Sequence, residues 1–500
     1  MGALWDYIDP GRQGLKPNAL ALWTPTESHS YGEVASTVQG VRQQLVLLGV
    51  SSGSRVLFMA DRDAESVFLM LALASLECTL IAVALDYPVD RLLGDVAATR
   101  SDYCLVSTSF WSKNLAGLDG LAFLGSVGHH LTLLQTLNVE TGTPTLGRDG
   151  RPLALIARSS GSTGAPKYVC LSQGAKVARL ESHITTYQLE DKAVLLASTP
   201  LQHTLSQRAI YSALALGSTV AILDRYSPSR WRECALASGA EFSAVVASQM
   251  RTILAEGPLR ETDGFRIKTL VSSSAPLNSE EKLAFVQQCE FDIHECYGTS
   301  EMATATDICL SANLASVTSV GWPVRGARVT VVDMSSGLEL TVGKRGEVRI
   351  QSLQAFDGYL DSRGELATRW ALGDDFRTGD LGEISGNGSL TFLGRTVEMI
   401  NVGGSNVYPI EIETVGAQFP GVHEVVAAGL PHRTLGEVPI LFLRTGPSFE
   451  GVPQIMRFLR KRLEAFQLPQ EIHIVREFPL TEAGKTDRKA LLAWRSTQLT

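Results

Sequence analysis

The sequence predicts an α/β protein: a large N-terminal domain of layered α/β subdomains with a small β-barrel-like subdomain, followed by a small α/β C-terminal domain. Three observations carry this prediction. The chain has 500 residues, which is too long for one hydrophobic core. Strand-like apolar runs alternate with helical stretches, as in layered α/β folds. Between 329 and 393 the strands become short and glycine-rich, and the α/β pattern then restarts.

The apolar runs of the first half predict buried, largely parallel strands. Short runs rich in branched residues and bounded by polar turns are typical of such strands. They are Arg55–Met59, Leu80–Leu85, Leu153–Ala157, Val194–Ala197 and Thr219–Leu223.

The stretch from Ser66 to Leu85 is nearly all apolar and about long enough to span a bilayer. Glu77 lies in its interior, however, where a charge would be costly. We therefore divide the stretch at 77–79 into a buried helix, 66–76, and a buried strand, and expect no membrane span.

The stretch from Val329 to Leu393 predicts an antiparallel sheet or small barrel, because short alternating strands are separated by recurring glycines. Gly394 and Arg395 close it. We place the domain boundary there, so that residues 1–394 form the N-terminal domain and 395–500 the C-terminal domain. The second domain is predicted to contain helix Ile410–Gln418, strands Val425–Gly429 and Pro439–Leu443, and helix Gln454–Phe466.

Composition and charge exclude several classes of protein. Hydrophobic residues make up 44% and charged residues 19%, as in ordinary globular proteins. The net charge of −8, without a basic stripe, disfavours nucleic-acid binding. The 7 cysteines are scattered, with no Cys-x-x-Cys, which indicates reduced thiols in a cytoplasmic protein and neither a disulfide framework nor a zinc site.

A candidate polyphosphate loop follows the strand Leu153–Ala157. It reads Ser159-Ser160-Gly161-Ser162-Thr163-Gly164-Ala165-Pro166-Lys167. Glycines let backbone N–H groups turn toward one anion, and the hydroxyls and the ammonium add donors. The spacing is not that of a Walker A motif, and Tyr168 follows the lysine, so a P-loop NTPase is disfavoured. Alone, the loop only modestly favours a nucleotide site over a polar surface turn.

Four later segments combine with this loop. They are Glu295–Glu301, Asp375–Asp380, Gly394-Arg395 with the tract Ile400–Glu413, and Pro479–Arg488. In this order and spacing the chain resembles the adenylate-forming superfamily of acyl- and aryl-CoA ligases, peptide-synthetase adenylation domains and luciferases, and most closely the acid–CoA ligases. The resemblance covers most of the chain. It implies that a carboxylic acid attacks the α-phosphate of Mg–ATP, giving acyl-AMP and pyrophosphate, and that a thiol then displaces AMP.

The resemblance also implies roles for residues that match the motifs. On the phosphate side, Ser159, Ser160, Gly161, Ser162, Thr163, Gly164 and Lys167 would hold the β- and γ-phosphates, Ser300 would contact phosphate, and Glu301 would bind Mg²⁺. On the nucleoside side, Tyr297 would stack on adenine within the segment that includes Gly298 and Thr299, Asp380 would bind the ribose hydroxyls, and Arg395 would contact ribose or phosphate. Ser273-Ser274-Ala275 would line the adenine, where the family usually has two glycines before the alanine.

Lys485 is the expected catalytic residue, because its ammonium could bridge the attacking carboxylate and the α-phosphate. An exposed lysine near a chain end is the default interpretation; only the surrounding motif overrides it.

The family moves its C-terminal domain between the two half-reactions about a hinge just after the Gly-Arg pair, so the small domain is expected to be mobile. Val397 stands where members commonly carry Asp or Lys, and a valine cannot make their polar contacts.

His203, in Pro200-Leu201-Gln202-His203, resembles the histidine that borders the acid pocket of acyl and aryl acid activators. Alone, it would be read as a structural histidine. Relatives that activate amino acids usually place a carboxylate just after this position to pair with the substrate ammonium. This chain has Thr204–Gln207 there, which disfavours an α-amino acid and favours a mainly apolar acid.

Several alternatives stay open. The leading reading is an acid–CoA ligase that uses ATP, Mg²⁺ and coenzyme A. A stand-alone enzyme that loads the acid onto the phosphopantetheine of an acyl carrier protein in trans is equally compatible with the motifs. A luciferase-like oxygenase and a non-catalytic nucleotide-binding relative are weaker alternatives. The sequence specifies neither the acid nor the oligomeric state.

Overall fold

The computed structural model describes residues 3–85, 87–116, 119–137, 144–159, 166–367, 370–371, 373–479 and 486–498. Of the residues predicted for the site, Ser160, Gly161, Ser162, Thr163, Gly164 and Lys485 lie outside this range. All others are described.

Helices cover the faces of the sheets. The α-helices of the described chain are α1 (Leu4–Ile8), α2 (Tyr31–Leu47), α3 (Ala64–Ser75), α4 (Val89–Thr99), α5 (Thr108–Phe110), α6 (Gln173–Thr186), α7 (Thr204–Leu216), α8 (Pro228–Ser238), α9 (Ala247–Ala255), α10 (Ser279–Gln288), α11 (Pro409–Ala417), α12 (Val452–Arg460) and α13 (Arg488–Gln498). Shorter helical turns of other types are Trp111–Leu115, Glu261–Asp263, Leu314–Ser316, Thr396–Glu398 and Ala465–Gln467.

The strands of the described chain belong to four sheets. Up to the antiparallel region they are β1 (Leu20–Trp23), β2 (Ser28–Ser30), β3 (Arg55–Ala60), β4 (Thr79–Ala84), β5 (Tyr103–Ser107), β6 (Leu121–Val127), β7 (Leu131–Thr136), β8 (Leu153–Ser159), β9 (Lys167–Ser172), β10 (Val194–Ala197), β11 (Thr219–Ile222), β12 (Phe242–Val246), β13 (Thr269–Ser273), β14 (Asp292–Thr299), β15 (Ala303–Cys309) and β16 (Trp322–Pro323). The rest are β17 (Ala327–Val332), β18 (Arg345–Ser352), β19 (Gly358–Tyr359), β20 (Phe376–Ile384), β21 (Leu390–Arg395), β22 (Ile400–Val402), β23 (Ser405–Val407), β24 (Val422–His432), β25 (Gly436–Thr445) and β26 (Glu471–Ile474).

Two large sheets form the N-terminal layers. The nine-stranded sheet has the order β16-β15-β14-β13-β12-β10-β11-β1-β2, and the eight-stranded sheet has the order β19-β9-β8-β4-β3-β5-β7-β6. Both are parallel at their centres, from β14 to β1 and from β8 to β5, and antiparallel at their edges. The predicted parallel α/β layers are therefore confirmed, with antiparallel hairpins added at the edges.

Helix α3 lies in the core that both large sheets share. Its residues Val67–Leu73 are all buried, and they pack in one cluster with side chains of both sheets such as Phe58 and Leu195. A helix that is apolar on every side belongs inside a protein core. The chain then turns at Glu77, which has φ 52°, and enters β4 at Thr79. The buried helix–strand interpretation of 66–85 is thus correct, and none of the described helices is long and apolar enough to cross a bilayer.

The region after β16 forms an antiparallel four-stranded sheet, β17-β18-β20-β21. A fourth sheet follows, with the order β23-β22-β25-β24 and with β26 parallel to β25. Helices α11 and α12 pack on one of its faces, and α13 on the other.

Gly403 and Gly404 form the turn of the β22–β23 hairpin, and their φ values of 59° and 91° suit such a tight turn. One local expectation differs from the structure. The helix predicted over 454–466 spans Val452–Arg460. It ends early because the chain turns to bring Leu463 and Leu468 back against the core of the sheet.

Candidate active site

Three residues from three separate sequence motifs meet at one point. Tyr297 lies near the end of β14, while Asp380 on β20 and Arg395 on β21 are register partners in an antiparallel pair. The hydroxyl of Tyr297 donates to Asp380 Oδ2 at 2.7 Å, and Arg395 Nε lies 2.8 Å from Asp380 Oδ1. Asp380 lies 83 positions after Tyr297 in the sequence, and Arg395 lies 98 positions after it, so folding brings three distant residues into one cluster.

Burial decides how this cluster can act. Asp380 is 2% exposed, whereas the side chain of Arg395 is 43% exposed. Burial, followed by the charge of Asp380, raises the pKa of Tyr297 well above its ordinary value, so the phenol remains a hydrogen-bond donor. The Tyr297 ring packs against Phe392 with 5.7 Å between centroids. The result is an aromatic plate beside a carboxylate that suits a pair of hydroxyl groups.

Glu301 lies in the turn between β14 and β15 and shares a neighbour with Lys167. The hydroxyl of Tyr359 donates to Glu301 Oε1 at 2.7 Å, and Lys167 Nζ lies 5.3 Å from the centre of the Tyr359 ring. Burial and the Glu301 charge raise the pKa of Tyr359, which keeps it a donor. The end of the predicted phosphate loop and the predicted Mg²⁺ ligand are thus close together.

The backbone from Tyr297 to Glu301 is fixed from behind. Buried Arg179 on α6 donates through Nη2 to the carbonyls of Ser300, at 3.0 Å, and Glu301, at 2.8 Å. A Cβ at Gly298 would lie 1.8 Å from the carbonyl oxygen of Ala303, so only glycine fits there. Burial, followed by repulsion from Arg208, lowers the pKa of Arg179 to about 9, which leaves it charged at neutral pH.

The segment Ser273-Ser274-Ala275 begins at the last residue of β13, the neighbour of β14 in the sheet. Ser274 has φ 76°, a left-handed conformation that glycine adopts easily and serine does not. Downstream, the N–H of Leu277 donates to Glu295 Oε1 at 2.8 Å, and Glu295 Oε2 lies 2.5 Å from Lys282 Nζ. This buried ion pair holds the segment against the strand that carries Tyr297.

The described ends of the predicted phosphate loop are Ser159 and Lys167, which are register partners in the β8–β9 hairpin. A buried carboxylate holds the base of this hairpin. Asp95 on α4 accepts a hydrogen bond from Tyr168 at 2.6 Å through Oδ1 and from Tyr87 at 2.6 Å through Oδ2. Asp95 therefore ties the loop's second strand to the neighbouring helix.

His203 lies in the connection between β10 and α7. In the nine-stranded sheet, β13 and β12 separate β10 from β14, the strand that carries Tyr297. The ring of His203 is exposed and makes no hydrogen bond to another described residue. Partial desolvation, followed by the Arg62 charge, lowers the pKa of His203 below its ordinary value. One turn into the helix, the buried Gln207 donates to the carbonyl of Leu201 at 3.0 Å and accepts from Lys176 Nζ at 3.0 Å.

Arg488 is the last residue of the motif that contains Lys485, and its contacts fix that end of the motif. Its guanidinium lies 2.7 Å from Glu413 and 3.2 Å from Glu398, which follows the predicted hinge. Val397 at that hinge is 73% exposed. Arg488 therefore holds the beginning of α13 next to the segment that follows Arg395.

Comparison with known proteins identifies the family. Residues 12–360 match the family described as AMP-binding enzyme, and residues 411–485 match the AMP-binding enzyme C-terminal domain. The chain belongs to the AMP-binding enzyme family.

Individual relatives of this AMP-binding enzyme extend over almost its whole length. A 2-succinylbenzoate–CoA ligase of Geobacillus kaustophilus is 26% identical over 486 residues, 96% of either chain. An indoleacetate–CoA ligase of Aromatoleum aromaticum is 25% identical over 503 residues, again 96% of either chain. ATP-bound MatB from Rhodopseudomonas palustris has a TM-score of 0.85 at 23% identity, covering 98% of each chain. The amide bond synthetase McbA from Marinactinospora thermotolerans has a TM-score of 0.83 at 22% identity, covering 98% of this chain and 99% of McbA. These likenesses confirm the expected fold.

Sequence motifs did not point to the supporting residues of this AMP-binding enzyme. Arg179, Tyr359 and Asp95 each act on the predicted site through a contact from another element. Arg179 left a weak sequence signal, as a cation flanked by the apolar residues Ala178 and Leu180 of α6. The other two lie in stretches whose pattern is that of ordinary surface structure.

Proposed function

We propose that this AMP-binding enzyme is an ATP-dependent acid–thiol ligase that forms acyl-AMP and then transfers the acyl group to coenzyme A. One observation carries the proposal: Tyr297, on the hairpin that presents Glu301 toward Lys167, forms a hydrogen-bonded cluster with Asp380 and Arg395 of the neighbouring β20–β21 hairpin. An adenosine end and a phosphate end are thereby built into one site.

At the adenosine end, the Tyr297 ring offers a stacking surface and buried Asp380 offers a carboxylate for the ribose hydroxyls. The partly exposed Arg395 is available to ribose or phosphate. Ser273, Ser274 and Ala275 would border the base. The strained Ser274 fixes the course of this wall.

At the phosphate end, Ser159 and Lys167 would hold the β- and γ-phosphates together with the loop between them. The Glu301 carboxylate, oriented by Tyr359, fits Mg²⁺, which proteins usually hold through one or two carboxylates and the substrate phosphates. The ion would neutralise charge that develops on the phosphates. Lys485 would orient the attacking carboxylate on the α-phosphate.

The acid we propose is an acyl or aryl acid without an α-ammonium group. Both hydrogen-bonding ends of the Gln207 amide are already satisfied within the protein. No carboxylate occurs in the segment from Thr204 to Gln207 that follows His203. The names of the two relatives, which act on succinylbenzoate and indoleacetate, support an aromatic acid.

The acceptor and the organisation of the chain complete the proposal. Attack of a thiolate on the acyl carbon would release AMP and form the thioester. The thiol is that of coenzyme A or, alternatively, of a carrier protein acting in trans.

We further propose that residues 1–394 and 395–500 are separate domains that rearrange between the two steps. We also propose that the enzyme works in the cytoplasm, where its seven free cysteines stay reduced.

The test is acid-dependent exchange of labelled pyrophosphate into ATP, measured across short, fatty, aromatic and amino acids. We expect exchange with at least one non-amino acid. Lys485→Ala should abolish the exchange but spare thioester formation from supplied acyl-AMP, whereas Lys489→Ala, an exposed neighbour, should change neither. Absence of exchange with every acid would favour the non-catalytic alternative. Coenzyme A and a holo-carrier protein, compared as acceptors, distinguish the two thiols.

A further inference from the structure

A second group of reactive side chains lies at the end of the β14–β15 hairpin that is remote from the Glu301 turn. His294 on β14 and Cys309 at the end of β15 are directly opposed in the antiparallel register. Asp292, two residues before His294, shares its face of the strand. One ligand atom from each of the three residues lies within 4.8 Å of the other two.

A fourth residue, Asp307, orients the imidazole. Its Oδ2 lies 2.7 Å from Nδ1 of His294, and the same ring also interacts with the Cys309 side chain. The side chains of His294 and Asp307 are only 11% and 10% exposed, and the Tyr187 ring packs edge-on against the imidazole at 5.4 Å. Proteins commonly orient metal-binding histidines in this way, with a carboxylate on the second ring nitrogen.

The same Asp307 carries an unsatisfied atom. Its Oδ1 is buried and has no hydrogen-bond partner among the described residues. A buried carboxylate oxygen without a partner is costly, and a nearby cation would offset that cost. Because Asp307 is bonded to His294, this unsatisfied oxygen lies beside the three-residue cluster.

We propose that Asp292, His294 and Cys309 bind one Zn²⁺ ion, with Asp307 as the positioning residue for His294. In a tetrahedral zinc site with bond lengths of about 2.0–2.3 Å, neighbouring ligand atoms lie roughly 3.5 Å apart. The cluster therefore needs to contract by only about 1 Å, which side-chain rotation can supply. On binding, the Cys309 thiol and the protonated form of His294 release their protons to solvent. Asp292 is exposed, so water can occupy the fourth position.

The donor set decides which metal binds. One sulfur, one imidazole nitrogen and one carboxylate oxygen suit Zn²⁺, whereas Mg²⁺ and Ca²⁺ require oxygen ligands throughout. Cysteine spacing along the chain argued against a zinc site. The proposal departs from that prediction because the donors come from two adjacent strands and show no motif in sequence.

The position of this zinc site suggests what it does. Tyr297 lies three residues beyond His294, about 10 Å along the strand. A metal that joins β14 to β15 fixes their register, and hence the positions of Tyr297 and the Glu301 turn. The site is structural and separate from the nucleotide site, so it does not depend on the proposed function.

Cobalt provides the test, because a thiolate bound to Co²⁺ gives a charge-transfer absorption that a metal-free hydrogen-bonded cluster does not. Untagged full-length protein is stripped with a chelator and titrated with Co²⁺. We expect one equivalent to bind with this absorption and Zn²⁺ to displace it. Cys309→Ser should abolish the band, His294→Ala should weaken binding at least about 100-fold, and Asp307→Asn should keep the band with binding about 10- to 100-fold weaker.

Controls keep the result interpretable. Asp292→Asn alters an exposed residue, so it tests the site without endangering the fold, and it should weaken Co²⁺ binding. Cys289→Ser and His432→Ala change a cysteine and a histidine outside the cluster and should leave the titration unchanged. The proposal is overturned if the wild-type protein gives no thiolate–cobalt band with excess Co²⁺, or if the band survives Cys309→Ser.

Discussion

The adenosine side and the acid side of the proposed site are built differently. On the adenosine side, Asp380 is 2% exposed and contacts Tyr297 and Arg395, so its position is fixed before any ligand arrives. On the acid side, His203 is exposed and bonds to no other described side chain, while Gln207 is satisfied internally. The polar groups that are fixed before ligand binding therefore lie where the nucleotide is expected.

This difference indicates how the two ligands would be recognised. ATP would meet fixed charges and donors, whose removal costs transition-state stabilisation directly. The acid would meet a surface with few free polar groups, so shape and apolar contact would select it. Substitutions on the two sides should therefore affect different kinetic constants.

The largest effect is expected from Asp380→Asn. The substitution removes the charge that pairs with Arg395 and weakens the acceptor for Tyr297. We expect kcat/KM for ATP to fall about 100-fold, equivalent to about 2.7 kcal/mol, with the KM for the acid changed little. Glu339→Gln, an exposed carboxylate on the same antiparallel region, should leave both constants unchanged. An equal rise in the two KM values would erase the distinction between the two sides.

A smaller effect is expected from Tyr359→Phe, which removes the donor to Glu301 and keeps the ring beside Lys167. The Mg²⁺ concentration required for half-maximal exchange should rise about tenfold, because an orienting hydrogen bond to a charged group is lost. The same substitution at Tyr226, whose hydroxyl bonds to Thr252 and not to Glu301, serves as the control. An unchanged Mg²⁺ requirement would contradict the role given to Glu301.

On the acid side, His203→Ala should raise the KM for the acid about fivefold, the loss of roughly 1 kcal/mol of packing, and leave the KM for ATP unchanged. Because the pKa of His203 is lowered below 6.5, the ring is already neutral above pH 7. The wild-type KM for the acid should therefore show no change due to this histidine between pH 7 and pH 9. A tenfold change in the KM for ATP instead would place His203 on the nucleotide side.

The smallest effect is expected from Ser274→Gly, a change toward the residue usual in the family. Glycine adopts the positive φ at this position without strain, so the free energy of unfolding should rise by about 1 kcal/mol. Thermal or urea unfolding measures it. The same substitution at Ser335, an exposed turn residue with negative φ, should not stabilise the protein. Destabilisation by Ser274→Gly would show that the serine side chain is needed at the adenine wall.

Local patterns in the sequence predicted the strands well. Val194–Ala197 is a strand with the predicted bounds, and α3 and β4 lie where the division at Glu77 placed them. Burial drives these elements, and burial leaves a clear apolar pattern. The end of α12 was missed because tertiary packing of Leu463 overrides a helical pattern that continues past Arg460.

Within the candidate site, motifs predicted the residues expected to touch ligand but not those that hold them. The contacts of Tyr359, Arg179 and Asp95 join positions 58, 122 and 73 residues apart, and such pairings have no periodicity to detect. The His294–Cys309 pair was hidden for the same reason. The roles of Lys485 and of the residues between Ser159 and Lys167, and the domain boundary after Gly394, stay predictions.

Transfer of labelled oxygen tests the central claim most directly, because only carboxylate attack on the α-phosphate moves an acid oxygen to AMP. The acid found active in the exchange assay is labelled with ¹⁸O in both carboxylate positions and incubated with ATP, Mg²⁺ and coenzyme A. The account predicts AMP that carries one ¹⁸O atom, since the bridging oxygen stays with phosphorus when the thiol takes the acyl group. Unlabelled AMP, or ADP and phosphate in its place, would contradict it.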